Sequence, residues 1–444
     1  MQRYDTYKDS GVKWLGEIPS HWEVISTKYI AKLYTGNSLN DASKEKYSLF
    51  SDDSYPYIAS KDISLGTGTV DYDNGLYIPK DESFFEIAPK NSFLLCIEGG
   101  SAGRKKAFLD RNCCFVNKLC CFDSALNPKY HYYFIQGDYF RTMFNCSLQG
   151  MIGGVSVSAL KNIYTIVPPL EEQTAIANYL DTATAKIDAA IAQQQKMIDL
   201  LNERKQIIIN RAVTKGLNPN AKMKDSGVEW IGEVPEGWGC RKLKSICANT
   251  QYSIKTGPFG SQLKGDDIQE FGDVPIYNQR VVIDNDCSLF NSYVSKAKAA
   301  SLKSFVVNSK DLLITTRGTI GKSTIVPNDA PDGILHPCII AIRLNFDLCC
   351  NEYLQFFFQS IAFNTDMMLK SNATTIEVIY SYNLKECFVP LPPIDEQKQI
   401  VEYLNKELVR INQTIDATNN QISLLQERKQ IVINEVVTGK IRIL

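Results

Sequence analysis

Two long segments, each free of glycine and proline and each opened by a proline pair, limit what this chain can fold into. Pro168-Pro169-Leu170-Glu171-Glu172-Gln173 leads a run to Lys215, and Pro392-Pro393-Ile394-Asp395-Glu396-Gln397 leads a second run to Gly439, with a constant offset of 224. Near the ends, Leu201 to Thr214 and Leu425 to Thr438 agree at ten of fourteen positions, which marks an internal duplication. Prolines at the start, acids in the first turn and a glycine (Gly216, Gly439) after the end predict one uninterrupted helix per copy. Apolar residues fall at steps of three and four: Ile400, Leu404, Leu408, Ile411, Ile415, Ile422, Leu425, Val432 and Val436 in the second copy. Ile176, Leu180, Ile187, Ile191, Ile198, Leu201, Ile208 and Ala212 repeat the stripe in the first, and the skipped positions coincide, Gln194 with Thr418 and Lys205 with Lys429. Matching narrow seams predict that the two helices pair as an antiparallel coiled coil.

The duplication spans the chain. Residues 8 to 22, KDSGVKWLGEIPSHW, return at 224 to 238 as KDSGVEWIGEVPEGW, with ten of fifteen identical. Trp14, Trp22, Trp230 and Trp238 lie in these short Gly/Pro-broken stretches and are expected to dock as apolar plugs on the helix ends. Each stretch precedes a region of short β-rich runs and turn residues, Val24 to Val167 and its counterpart. The segment NPKYHYYFIQGDYFRTMF reads as one amphipathic helix against the first of these domains, mirrored by NEYLQFFFQSIAFNTDMM. The expected architecture is α+β: a docking segment and β domain over 1–167, a long helix over 168–216, the second docking segment and domain over 217–391, and the second helix with a tail over 392–444. Framework pieces such as DLLITTRGTIGK and SFLLCIEGGSAGR correspond, while the stretches between them hardly match. That contrast predicts two variants of one binding domain.

At 444 residues and 44% hydrophobic content the chain can build real cores. No stretch is long and apolar enough for a membrane span, and a cytoplasmic protein is expected. The 13 cysteines are an odd number without Cys-x-x-Cys spacing, so reduced thiols are expected rather than disulfides or a zinc site. Three scattered histidines, His21, His131 and His336, leave little for acid–base or nucleophilic chemistry. Arg317 to Ser323 lacks the first glycine of a phosphate loop, and Asn127-Pro128-Lys129-Tyr130 lacks the second proline of an amino-methyltransferase tetrad. Neither catalysis nor a cofactor is expected.

Taken together, the LPP-hydrophobe-x-EQ helix starts, the ERKQ helix ends, the VxWxGE(I/V)P segments and the two divergent domains resemble the specificity subunit of type I restriction-modification systems. The resemblance covers nearly the whole chain. It implies two target-recognition domains, each reading half of a split sequence in double-stranded DNA, and a helix pair that spaces them and carries methyltransferase subunits, two copies being expected, with restriction/translocase subunits as further partners. One departure is that Thr35-Gly36-Asn37-Ser38 stands where the second domain has Thr256-Gly257-Pro258-Phe259-Gly260-Ser261. The residues expected to face DNA are Asn37, Ser60, Lys61, Arg104, Lys105, Lys106, Gly150, Gly153 and Gly154 in the first domain. In the second they are Lys255, Ser261, Lys264, Asn278, Gln279, Arg280, Arg317 and Lys322. Net charge is −1, and each domain balances 15 basic against 14 acidic residues, so no overwhelming basic face marks the site. A coiled-coil scaffold for protein partners, without DNA specificity, is the alternative reading.

Overall fold

The computed structural model describes residues 2–12, 15–48, 50–149, 153–250, 252–319, 321–371 and 378–443. Both helices form as the sequence predicts, over Leu170–Lys215 and Ile394–Val437. The chain divides into two compact units, Met1–Lys196 with Asn419–Leu444, and Met197–Thr418, so each unit owns part of both long helices.

In the first unit a hairpin, Tyr7–Asp9 with Glu17–Pro19, precedes the recognition domain. The domain opens with Glu23–Ser26 and closes with Tyr164–Val167, and these two strands pair antiparallel with each other. Between them lie two four-stranded sheets. One runs Ala31–Thr35, Leu119–Ser124, Phe93–Cys96, Lys106–Phe108, all antiparallel. The other runs Tyr77–Pro79, Ser54–Ile58, Cys113–Phe115, Ile87–Ala88, with one parallel pairing at its centre. The second unit repeats this plan strand for strand: hairpin Met223–Asp225 with Glu233–Pro235, closing pair Gly239–Lys242 with Phe388–Leu391, and two four-stranded sheets in the same order, again with one parallel pairing.

The framework motifs have identifiable physical tasks. Trp22 and Trp238 are buried, and their indole N–H groups donate to Glu172 (3.0 Å) and Glu396 (2.9 Å) at the helix starts. The expected plug role holds for these two tryptophans; Trp230 is half-buried, and Trp14 lies outside the described residues. Burial of Glu172 would raise its pKa, yet hydrogen bonds from Tyr4, His21 and Trp22 outweigh it and hold the carboxyl below its usual value. The neighbouring Gln173 and Gln397 are buried plugs that accept from the backbone N–H of Asn127 (2.8 Å) and Cys350 (3.0 Å) and donate to the carbonyls of Pro168 and Pro392. Gly439 ends the second helix at φ 72° where a Cβ would sit 2.4 Å from Pro19, so only glycine lets the docking segment close on the helix end.

Within each unit, stretches of the two helices pack antiparallel, and one pair of skipped seam positions, Lys205 and Lys429, makes cross-helix ties, while the Thr418 hydroxyl bonds back to the Thr414 carbonyl of its own helix. Lys429 lies 2.7 Å from both carboxylate oxygens of Asp188 in the first unit, and Lys205 donates to Asn412 at 3.1 Å in the second, in the same antiparallel register. Toward the helix ends the stripe joins the domain cores, with Ile176, Leu180, Ile433, Val436 and Val437 in one and Ile209, Ala212, Val213, Ile400, Leu404 and Leu408 in the other, while Ile198 and Ile411 are buried farther along the seam. Ile187, Ile191, Leu201, Ile415, Ile422 and Leu425 stay half-buried, since a two-helix seam leaves its flanks open.

One expectation needs correction. NPKYHYYFIQGDYFRTMF is not one helix but two, Pro128–Phe134 and Asp138–Cys146, and its counterpart breaks likewise into Asn351–Phe358 and Ile361–Ser371. The break serves docking: the second helix presents its free N-terminal N–H groups to the last residue of the ERKQ helix motif. The Asn434 side-chain oxygen accepts from Asp138 N–H at 2.8 Å, and Asn210 accepts from Ala362 N–H at 3.0 Å.

His131 occupies the site held by buried Leu354 in the other domain, since Tyr130 and Tyr353 make matching bonds to Ile166 and Pro390 carbonyls. Its Nδ1 meets the Ser124 hydroxyl at 2.8 Å, its Nε2 has no partner among the described residues, and burial pushes its pKa down to about 3. The unfolded chain therefore takes up a proton as pH falls below about 6.5 while the folded chain does not, so stability is lost on acidification between these values. At pH 5 the expected loss from this group is about 2 kcal/mol relative to neutral pH. Denaturant unfolding of His131→Leu should show a difference between pH 7 and pH 5 smaller by that amount; an unchanged difference would show that His131 is not the titrating group.

Candidate nucleic-acid interface

In each domain three loops converge at one end of the antiparallel sheet. In the first, the strand Phe93–Cys96 runs into Glu98–Gly103; Glu98 bridges to Gly154, Gly99 N–H donates to Gly153, and Lys105 Nζ reaches the Ser60 carbonyl at 2.7 Å. Residues 60–61, 98–105 and 153–154 thus share one surface, with Lys61, Glu98 and Arg104 exposed. In the second domain the strand Leu312–Thr315 runs into Arg317-Gly318-Thr319; Arg317 bridges to Val378, and the Gln279 side chain donates to the Arg317 carbonyl. Arg280, Arg317 and Lys322 are exposed there, Arg280 lying 3.5 Å from Asp284.

Several of the expected residues are engaged within their domain or lie away from this surface. Asn37 accepts from Glu86 N–H through its side chain while its carbonyl takes the Tyr57 hydroxyl. Asn278 caps the helix Gln279–Ile283 by accepting from Arg280 and Val281 N–H. Lys255 is held between the Tyr252 and Phe305 rings, 4.3 and 4.5 Å from their centroids, and burial followed by the nearby Arg343 lowers its pKa. Strand alternation places Lys106 on the face opposite Lys105, in a pocket against the long helices. Lys264 is exposed on its own loop, Ser261 lies in the turn Gly260–Gln262, and Gly150 falls outside the described residues. The shared Thr-Gly pairs are structural: a Cβ on Gly36 or Gly257 would sit 1.8 Å from the Phe115 carbonyl or 2.2 Å from that of His336. Beyond them the chains diverge, into the closed Asn37 loop of one domain and the exposed Phe259 of the other.

Glu98 was absent from the expected contacts, although it aligns with Arg317 through SFLLCIEGG and DLLITTRGT. The two residues hold one position of the frame, each just after the central strand and each bridged to the third loop. Arginine can donate two parallel bonds to guanine O6 and N7, and a carboxylate accepts from cytosine N4. The same frame position thus carries an acceptor in one domain and a donor in the other.

The long helices carry a second exposed feature. Leu200, Glu203, Arg204 and Ile207 lie at helical neighbour spacing on one face, and Leu424, Glu427, Arg428 and Ile431 repeat them residue for residue. The four apolar members are 46–63% exposed.

The family model described as the type I restriction modification DNA specificity domain matches residues 19–198 and again 235–424. The type I restriction enzyme EcoBI specificity subunit of Escherichia coli is 23% identical over 446 residues, covering 98% of this chain and 89% of that one. The MjaVIII specificity subunit of Methanocaldococcus jannaschii is 24% identical over 457 residues, covering 98% and 97%. A chain from a structural study of complex assembly and conformational transition of the type I R-M system superposes with a TM-score of 0.70 at 13% identity, covering 96% of this chain and 99% of that one. With two family domains, each built on one frame and ending in a divergent loop surface, the chain belongs to the type I restriction-modification DNA specificity family, the non-catalytic subunits that recognise the DNA target.

Proposed function

We propose that each domain reads one half of a bipartite duplex target through its three-loop surface, and that the helices dock two copies of a methyltransferase subunit. The observation that carries the first part is the pair Glu98 and Arg317: one framework position, opposite chemistry, hence different bases read by the two domains. Lys61, Arg104 and Lys105, and Arg280 and Lys322, surround these residues as phosphate contacts that position the protein without reading sequence. The second part is supported by the repeated exposed stripe, because the fold does not call for identical apolar residues in solvent on both helices. Restriction subunits complete the assembly in this reading. A scaffold without DNA specificity would need no pair of differently decorated domains.

Genome-wide mapping of methylated bases in cells carrying the chain with its methyltransferase partner tests the reading. A split target is expected. Arg317→Ala should relax one position in one half at a cost of about 1–3 kcal/mol, with the other half unchanged. A uniform loss across all sequences would make Arg317 a phosphate contact, and a continuous target would end the half-site reading.

A further inference from the structure

Lys106 opens the strand Lys106–Phe108 and lines a pocket of about 370 Å³ between the first recognition domain and the long helices, together with Thr67, Gln136, Asp188, Lys429 and Gln430. Two ammonium groups face this pocket against one carboxylate, and that carboxylate is already occupied: Asp188 binds Lys429 through both oxygens at 2.7 Å. Lys106 has no acceptor among the described residues. The nearest further cation, Arg141, is engaged by Asp138. Burial, and then Arg141, pull the Lys106 pKa down to about 8. Lys106 is half-buried, and an ammonium group partly withdrawn from water without a counter-charge is destabilising unless something pairs with it. The second unit has one ammonium group at the equivalent place and not two: Ser323 begins the equivalent strand Ser323–Ile325, and Lys205 lies beside neutral Asn412 where Asp188 stands in the first. The pairing of two ammonium groups therefore belongs to this pocket and not to the shared frame.

We propose that this pocket is a binding site for one small oxyanion of the phosphate class, held by Lys106 with Lys429 at its side. The glutamine amide groups do not compete, since Gln136 donates to Tyr132 and Gln430 to Gln136. The same chemistry suits a free anion or a phosphodiester oxygen of bound duplex.

The test uses the full chain and inorganic phosphate, added at constant ionic strength, with thermal unfolding as readout. Wild type and Lys106→Arg should show a saturable rise of a few degrees, as expected when a ligand binds only the folded state. Lys106→Met should unfold at or above the wild-type temperature without phosphate, because an unpaired charge is gone, and should show no rise. DNA binding then separates the sources: if the occupant is a phosphodiester, Lys106→Met lowers the slope of log affinity against log salt by about 0.9, and if it is a free anion the slope is unchanged while the phosphate effect is lost. Equal responses to phosphate in all three proteins, together with an unaltered salt slope, overturn the proposal.

Discussion

Replacing Leu424 and Ile431 by lysine should leave a complex holding one methyltransferase subunit instead of two, and replacing Leu200 and Ile207 as well should leave none. Each pair is exposed on its helix, so little packing within the chain is lost. Lysine keeps good helix propensity, which makes it a gentler probe than aspartate at these exposed helix positions. At an interface, two apolar anchors changed to buried unpaired ammonium groups should cost roughly 4 kcal/mol or more, about a thousandfold in Kd. Native mass measurement of the purified complex reads the stoichiometry, and the melting temperature of the isolated chain controls for folding. Two subunits retained by the fourfold variant would place the docking surface elsewhere on the chain.

The stripe also shows which parts of this molecule a sequence discloses. The long helices were legible because 3.6-residue periodicity, proline starts and glycine ends all agree over forty-odd residues, and the observed bounds Leu170–Lys215 and Ile394–Val437 follow them closely. The seam lysines were visible as gaps in the stripe, but their partners were not, because Asp188 and Asn412 are distant in sequence from the residues they bind. The helix break before Asp138 was missed since FIQGDYF keeps amphipathic spacing straight through it. The chain leaves the helix at Gly137, which is extended at φ −68° and ψ 155°, and Asn434 takes the Asp138 N–H there, a tertiary bond that the local spacing does not show. For the loop surface, Arg317 was named and Glu98, its equivalent in the frame, was not, because a carboxylate looks unsuited to DNA when read from sequence alone. Asn37 and Asn278 were chosen as polar turn residues, and the backbone groups they satisfy became apparent only with the fold.

Exchanging Ile25 to Val167 for the corresponding segment of a related subunit should rewrite one half of the methylated target and leave the other half intact. The reason is the closing strand pair: Glu23 faces Val167 and Val24 faces Ile166, so the chain enters and leaves the domain through neighbouring strands, and a graft there closes on itself. Thr27 reinforces the joint, its hydroxyl donating to the Ile163 carbonyl at 2.7 Å. The domain is not attached by this pair alone. Asn127 N–H bonds to Gln173, Asp138 N–H to Asn434, and the Gln136 carbonyl accepts from Gln430, which ties it to both long helices within its unit. A donor segment that retains the Gly137 break and the backbone geometry at 127 and 136–138 should therefore respecify the half-site with little change in melting temperature. One that replaces the break by a continuous helix takes from Asn434 and Gln430 their backbone partners at a half-buried contact and leaves them only each other, with an expected cost of about 1–3 kcal/mol. Such a chimera should lose stability before it changes specificity. Methylated-base mapping and thermal unfolding on both chimeras separate these outcomes, and a change in both halves of the target from the first chimera would show that the domains do not read independently.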